Sequence, residues 1–355
     1  MLLARAAAVV IWLTWRQSRI QVAVAGSAAL AFAAALLLTG PHLADAYAQD
    51  AHSFLAWVSA QRSDRTLYDI GTLAGFVLPA LIGAFWGAPM VAREIEAGTH
   101  RLVWTQSVTR DRWLGTKVGL GLLGAMVAAG VVALGLSWWA HPIDQVVNLT
   151  GGSDGGNILG VPRILPDVFA ARGLAPIGYA AFAFAFGVLA GAVLRRTVPA
   201  MAVTVAAYVL LQVFMPGLVR THLVAAQRTT TPITAETLHG FRGRGPDRID
   251  DLLIDVDTPG AWVRSTRTVL ASGKKVGTYP FWVSTCLPPP GTEPAEPGAR
   301  EQSCFDRLAS AGYGEQVIYH PASQYWALQW RETGVLLAGT GLLVAASFWR
   351  VRRLT

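Results

Sequence analysis

AREIEAGTHRLVWTQSVTRDRW, residues 92–113, sets Arg93, Glu94, Glu96, Arg101, Arg110, Asp111 and Arg112 between two long apolar runs. That contrast decides the fold. A helix needs about 20 apolar residues to cross a hydrocarbon core roughly 30 Å thick, and the flanking runs, 70–92 and 113–139, are both long enough. Working outward, four more runs of this kind occupy 20–40, 173–194, 198–218 and 327–349. Of the 355 residues, 53% are hydrophobic and 14% charged, whereas an ordinary soluble domain carries roughly 25% charged residues. The expected fold is an all-α membrane protein with six transmembrane helices.

Local features refine this layout. The sixth run becomes continuous only after Arg331 and Glu332, which are expected at headgroup level, where long side chains reach water. Pro79, Pro89 and Pro216 are expected to kink the second and fifth spans, since neighbouring helices tolerate proline in lipid. Ahead of the first span, AVVIWLTWRQSR at 8–19 sets Trp12 and Trp15 beside Arg16 and Arg19, the mixture of a helix lying in the membrane interface. Residues 1–19 are expected to form such an interfacial helix, and the alternative is that they extend the first span. No small-residue cleavage site follows, so the segment is expected to be retained.

Orientation follows from the basic residues, because short loops rich in Lys and Arg stay in the cytoplasm. With the N-terminus inside, the inner segments hold Arg5, Arg16, Arg19, Arg93, Arg101, Arg110, Arg112, Lys117, Arg195, Arg196, Arg350, Arg352 and Arg353. The two short outer loops hold only Arg62, Arg65, Arg163 and Arg172. Both termini of a multi-pass cell-membrane protein are therefore expected in the cytoplasm. The formal net charge of +7 is largely absorbed by this asymmetry and gives no ground for nucleic-acid binding.

Residues 219–326 are far too long for a plain connection and are expected to form an extracellular domain between the fifth and sixth spans. WVRSTRTVL, SGKK and VGTYPFWV, together 262–283 with Ala271 between the first two, read as strand, turn and strand. Cys286 and Cys304, the chain's two cysteines, flank a proline-rich loop there. On the oxidising side of the membrane they are expected to form a disulfide contributing about 3 kcal/mol; two free thiols are the alternative.

Several chemistries find no support. TGGSDGGN at 150–157 lacks the Lys and Ser or Thr of a P-loop and the spaced acids of a calcium loop, so it reads as a flexible turn. TVLASGKK at 268–275 has Thr268 and Lys275 where a P-loop needs Gly and Ser or Thr. No nucleotide site is expected on this chain. No histidine falls inside an apolar run and no His pair has zinc-ligand spacing. No carboxylate stands at mid-depth, where a gradient-driven carrier usually keeps an ionisable group. Energy for uphill transport would then come from another subunit. Gly71, Gly75, Gly83 and Gly87, at helical spacing, are read as sites of close helix packing.

The polar stretch itself is expected to be ordered. The second span continues through Arg93, Glu94, Ile95 and Glu96, Gly98 ends it in a left-handed cap, and a short helix starts at Thr99. Thr109 then caps the next helix, with Asp111 in its first turn. EIEAGTHRLVWTQSVTRDRWLGTK, 94–117, resembles the loop between the second and third spans of ABC-2-type transporter permeases. It matches at Glu94 or Glu96, Gly98, Thr99, Leu102, Arg110 and Lys117, and departs at Gln106 and Ser107, where many members have proline. IWLTWRQSR (11–19) and YHPASQYWALQWRETG (319–334) are similar to the branch common in actinobacteria.

The resemblance implies a permease subunit that binds no cofactor itself. Two permease chains, as a homodimer or with a paralogue, would work in the lipid bilayer with a separate ABC ATPase subunit holding ATP and Mg. The loop 93–112 would couple to that ATPase through Glu94, Glu96, Gly98, Thr99, His100 and Arg101; for each charge the alternative is anchoring at the headgroups. A substrate path would run along the first, second and fifth spans, with Phe76, Phe85, Trp86, Tyr208, Gln212 and Phe214 as candidates. The implied function is export of an amphipathic or hydrophobic substrate. A gradient-driven carrier and a non-transporting sensor or scaffold are the alternatives.

Overall fold

The apolar runs fold as helices that reach past the apolar stretches, because the polar residues at their ends are themselves good helix formers. A computed structural model describes residues 2–98, 109–150, 158–234, 238–243, 249–254, 258–276, 282–283 and 299–353. Among the described residues, six helices are long and apolar enough to cross a membrane: Gly26–Gln49, Arg62–Glu96, Arg110–Trp139, Ala175–Leu194, Thr197–Leu223 and Ala322–Arg352. The chain divides into two compact units, Met1–Val224 with Ser323–Thr355, and Ala225–Ala322.

In the helical unit, α1 (Leu2–Gln49) is one continuous helix. The segment expected to stand alone over 1–19 is helical but runs into the first span without a break. Neither Pro nor Gly lies between Arg5 and Ala25 to end it, and Arg and Gln propagate a helix well. A short helix α2 (Phe54–Ala60) precedes α3 (Arg62–Ile82) and α4 (Ala88–Glu96). Then come α5 (Arg110–Trp139), α6 (His141–Thr150), α7 (Ala175–Leu194) and α8 (Thr197–Phe214).

The prolines act through π-helical turns. One, Gly83–Gly87, joins α3 to α4 just after Pro79; another, Met215–Arg220, contains Pro216 and continues α8 into a last turn at Thr221–Leu223. Proline removes one donor from the helical ladder, and a wider turn is a way for the remaining groups to re-register.

The span α7 lies at the centre of this unit, packed against α3, α4, α5, α8 and the last span. Its composition, APIGYAAFAFAFGVLAGAVL, permits that position, because small residues let helix backbones approach closely. A β-carbon at Gly75 would lie 2.2 Å from Ala171 O, one at Gly83 2.7 Å from Ala183 O, and one at Gly87 2.4 Å from Phe184 O. The glycine stripe of the second span is thus a packing surface, as its spacing predicts. From α7, Gly187 and Gly191 answer it, facing Gly83 O and Ala88 O.

The second unit is strand-bearing. A three-stranded antiparallel sheet runs in the order β1, β5, β4, made of β1 (Gln227–Pro232), β4 (Trp262–Leu270) and β5 (Tyr313–His320). A separate antiparallel pair joins β2 (Leu238–Gly243) to β3 (Ile249–Ile254). The expected SGKK turn forms: Leu270 N donates to Lys274 O at 2.9 Å, Val276 N to Thr268 O at 3.0 Å, and Gly273 takes φ +78°. Residues 277–281 of the expected return strand lie outside the described residues. Among the described residues, β4 pairs along its length with the distant β5. A helix α9 (Ala299–Ser310) adds Phe305 and Leu308 to a small core with Ile233 and Val283. Cys286 lies outside the described residues, and for Cys304 only its place in α9 is described. The last span, α10 (Tyr325–Arg352), returns the chain to the helical unit.

Candidate functional site

Because successive spans alternate in direction, the helical unit has two polar ends. One gathers Glu96, Arg110, Thr197 and Arg352; the other gathers Trp139, Ala175, Leu223 and Tyr325.

At the Glu96 end, α4 stops as the sequence predicts. Ala97 N and Gly98 N donate to Arg93 O and Ile95 O at 3.0 and 3.1 Å, and Gly98 takes φ +70°, a left-handed conformation that a β-carbon would strain. Thr109 caps α5, its hydroxyl oxygen accepting from Arg112 N at 3.3 Å. Thr99, His100 and Arg101 lie outside the described residues.

The two glutamates named for coupling are engaged within their own chain. Glu94 pairs with Lys117 of α5, with side-chain exposures of 18% and 7%, and the ammonium lies 5.0 Å from the Trp113 ring centre. Glu96 is exposed, and its Oε2 accepts from Thr197 N at 3.0 Å and Thr197 Oγ1 at 2.8 Å. Asp111 Oδ1 accepts from Arg352 Nε at 2.8 Å, and Arg110 Nη1 donates to Arg352 O at 3.3 Å. Polar bonds at the two feet of the loop therefore tie together the second, third, fifth and sixth spans.

The path candidates separate into three environments. Tyr208 is buried; its hydroxyl donates to Phe76 O at 2.6 Å and accepts from Gln212 Nε2 at 2.6 Å, joining the second span to the fifth. Trp86 packs against the core formed by Ile82, Val91, Trp113 and Phe184. Phe85 and Phe214 point outward, each 53% exposed, and Phe85 continues an exposed row of Leu73, Val77 and Leu81 at four-residue intervals.

The opposite end holds a polar network that sequence reasoning missed. Arg220, in the second π-helical turn, grips Glu332 of α10 with Nε to Oε2 at 2.6 Å and Nη2 to Oε1 at 2.9 Å. Tyr179 of α7 adds a hydroxyl donor to Oε1 at 2.7 Å. Both charged side chains are fully buried, and the guanidinium stacks 3.9 Å from the Phe169 ring centre. This corrects the expectation for Glu332. Its neighbour Arg331 is exposed and donates to Leu223 O, but Glu332, about 100° further round the helix, is turned inward to Arg220 and Tyr179. One turn earlier, Gln329 accepts from Leu174 N and Ala175 N at 2.8 and 2.7 Å and donates to Phe169 O and Arg172 O, both at 3.1 Å. It thereby satisfies backbone groups at the start of α7 that have no partner within the helix.

Beside it, Arg172 is 1% exposed and donates to Asp144 Oδ2 at 2.5 Å and to the Tyr68 hydroxyl at 3.2 Å. Burial opposes its charge, yet Asp144, with Tyr68 and Tyr325, keeps its pKa above the usual arginine value. A signal existed in the sequence. Asp144 shares a helical face with Ile143, Val146 and Val147, and Gln329, Glu332 and Thr333 recur at helical spacing among Leu328 and Leu336.

This architecture is that of a multi-pass helical membrane protein with a strand-bearing insertion before its last span. The chain belongs to the ABC-2 membrane transporter related family, whose model matches residues 4–220, from the beginning of α1 to the arginine of the Glu332 pair. No curated protein and no solved structure matches the chain.

Proposed function

We propose that the chain is the permease subunit of an ATP-driven ABC-2-type exporter, moving an amphipathic or hydrophobic substrate out of the cell with energy from a separate ATPase chain. The observation that carries this reading, within that family, is the bonding at the feet of the 97–109 connection. The ties Glu94 to Lys117, Glu96 to Thr197 and Asp111 to Arg352 make a push on the loop a push on four spans at once. A partner's nucleotide-driven closure needs that kind of rigid lever to bias a two-state bundle. Glu94 and Glu96 then hold the lever's foot, while Gly98, Thr99, His100 and Arg101 form the part that meets the ATPase. ATP and Mg belong to the partner.

The remaining assignments follow from the same reading. The loop end is cytoplasmic, with both termini, and the unit at 225–322 is outside, where Cys286 and Cys304 form a disulfide. A second permease chain covers exposed faces of the first, second and fifth spans, and cargo passes near Phe76, Tyr208, Gln212, Phe85, Trp86 and Phe214. A carrier driven by an ion gradient is disfavoured by the one buried acid in the sixth span: the charge of Glu332 is already matched by Arg220, which with Tyr179 gives it three bonds.

The test is co-purification with an ABC ATPase, followed by reconstitution into vesicles. ATP-dependent movement of a cargo across a sealed membrane supports the proposal. Transport that runs on an ion gradient without ATP refutes it.

A further inference from the structure

At the Trp139 end, α1, α5, α6 and α10 enclose a cavity of about 500 Å³, within the range of roughly 300–1,000 Å³ usual for small-molecule sites. None of the cargo-path candidates lines it. Its wall is divided. One side is aromatic and apolar, with Trp138 and Trp326, 53% and 45% exposed, and Ala44 of α1. Gly40 belongs to that side: a β-carbon there would sit 2.7 Å from the Trp138 ring, so the glycine lets the indole lie against α1. The other side is charged, with Asp144 and Arg163.

The charges do not cancel at this wall. Asp144 Oδ2 is already held by the buried Arg172 at 2.5 Å, and Arg163 Nη1 reaches the same oxygen only at 3.5 Å. Two guanidinium groups thus share one carboxylate. Arg163 is positioned by the Tyr325 ring, 4.4 Å below its guanidinium carbon, and its Nε has no acceptor among the described residues. A guanidinium offers five N–H donors in a planar fork suited to phosphate. Tryptophans in the same wall are the residues that settle at the level where headgroup meets hydrocarbon.

We infer that this cavity binds an anionic, phosphate-bearing amphiphile, a glycerophospholipid of net negative charge, with its phosphate on Arg163 and the upper part of its chains along Trp138 and Trp326. The site is independent of the proposed transport cycle. It requires neither an ATPase nor a cargo.

Native mass spectrometry of the purified full chain in neutral detergent tests it, with phosphatidylglycerol and phosphatidylcholine of identical chains as probes. Phosphatidylglycerol, whose phosphate charge no headgroup cation offsets, is expected to be retained about tenfold better than zwitterionic phosphatidylcholine, whose choline partly neutralises the same phosphate and is repelled by Arg163. Arg163→Gln should abolish that preference while Arg163→Lys keeps part of it. Trp326→Ala, at the exposed rim, should weaken both lipids together. Inorganic phosphate at millimolar concentration should not displace the lipid. Equal retention of the two lipids by the unaltered chain, an undiminished preference in Arg163→Gln, or displacement by phosphate alone would each overturn the inference.

Discussion

Arg220 and Glu332 stand 112 residues apart in sequence and meet through two hydrogen bonds of 2.6 and 2.9 Å, with neither side chain exposed. The pair staples the end of the fifth span to the sixth. Removing one partner leaves an uncompensated charge in a dry site, at an expected cost of about 3–5 kcal/mol. Arg220→Met or Glu332→Leu should therefore lower the melting temperature in detergent sharply. The double variant, which removes both charges, should regain most of the loss. A double variant as unstable as either single one would show that the pair is not the source of the cost.

The glycine contacts give a contrast between matched substitutions. Gly75→Ala and Gly87→Ala place a methyl group against backbone oxygens at 2.2 and 2.4 Å and should each destabilise by about 1–3 kcal/mol through forced backbone shifts. At Gly119, nothing lies within 4 Å, and alanine there should stabilise by about 0.5–1 kcal/mol through helix propensity. Thermal unfolding of the three variants side by side is the measurement.

At the loop, Gly98→Val tests coupling apart from folding. A β-carbon at Gly98 meets no atom within 4 Å, but its φ of +70° costs a branched residue roughly 1–2 kcal/mol. Membrane insertion and monodispersity should survive. Stimulation of a co-purified ATPase by the permease should fall to near its basal level. Thr197→Val, which removes one donor to Glu96 but leaves the backbone donor, should give a partial loss.

The two cysteines report oxidation state and sidedness together. On intact cells, a membrane-impermeant thiol reagent should label neither Cys286 nor Cys304 before reduction and both afterwards. Labelling before reduction would mean free thiols. Absence of labelling after a reductant, with labelling restored on lysis, would place the 225–322 unit in the cytoplasm.

Legibility divides along the same line as interaction range. The spans, the Gly98 stop, the Thr109 cap, the glycine packing face and the SGKK turn each depend on residues within a few positions of one another, and their chemistry is visible in the string. Glu332 reads as a headgroup-level charge because an acid beside Arg331 at the edge of an apolar run looks the same whether it faces water or a guanidinium. Arg172, one of the four basic residues of the short outer loops, looks like an ordinary loop charge for the same reason. The partnership of β4 with β5 spans more than forty residues, and no local pattern specifies it.

By itself, then, the sequence determined that this chain crosses a membrane six times, where each crossing lies and which loop interrupts the apolar pattern, since hydropathy and helix propensity act locally. Only the tertiary structure decided that α7 is the centre, that Glu94 and Glu96 brace the loop against α5 and α8, and that Arg220, Glu332, Arg172 and Asp144 are buried. Burying a charge is unfavourable unless its counter-charge arrives with suitable geometry. Where that counter-charge comes from is a property of packing between distant helices.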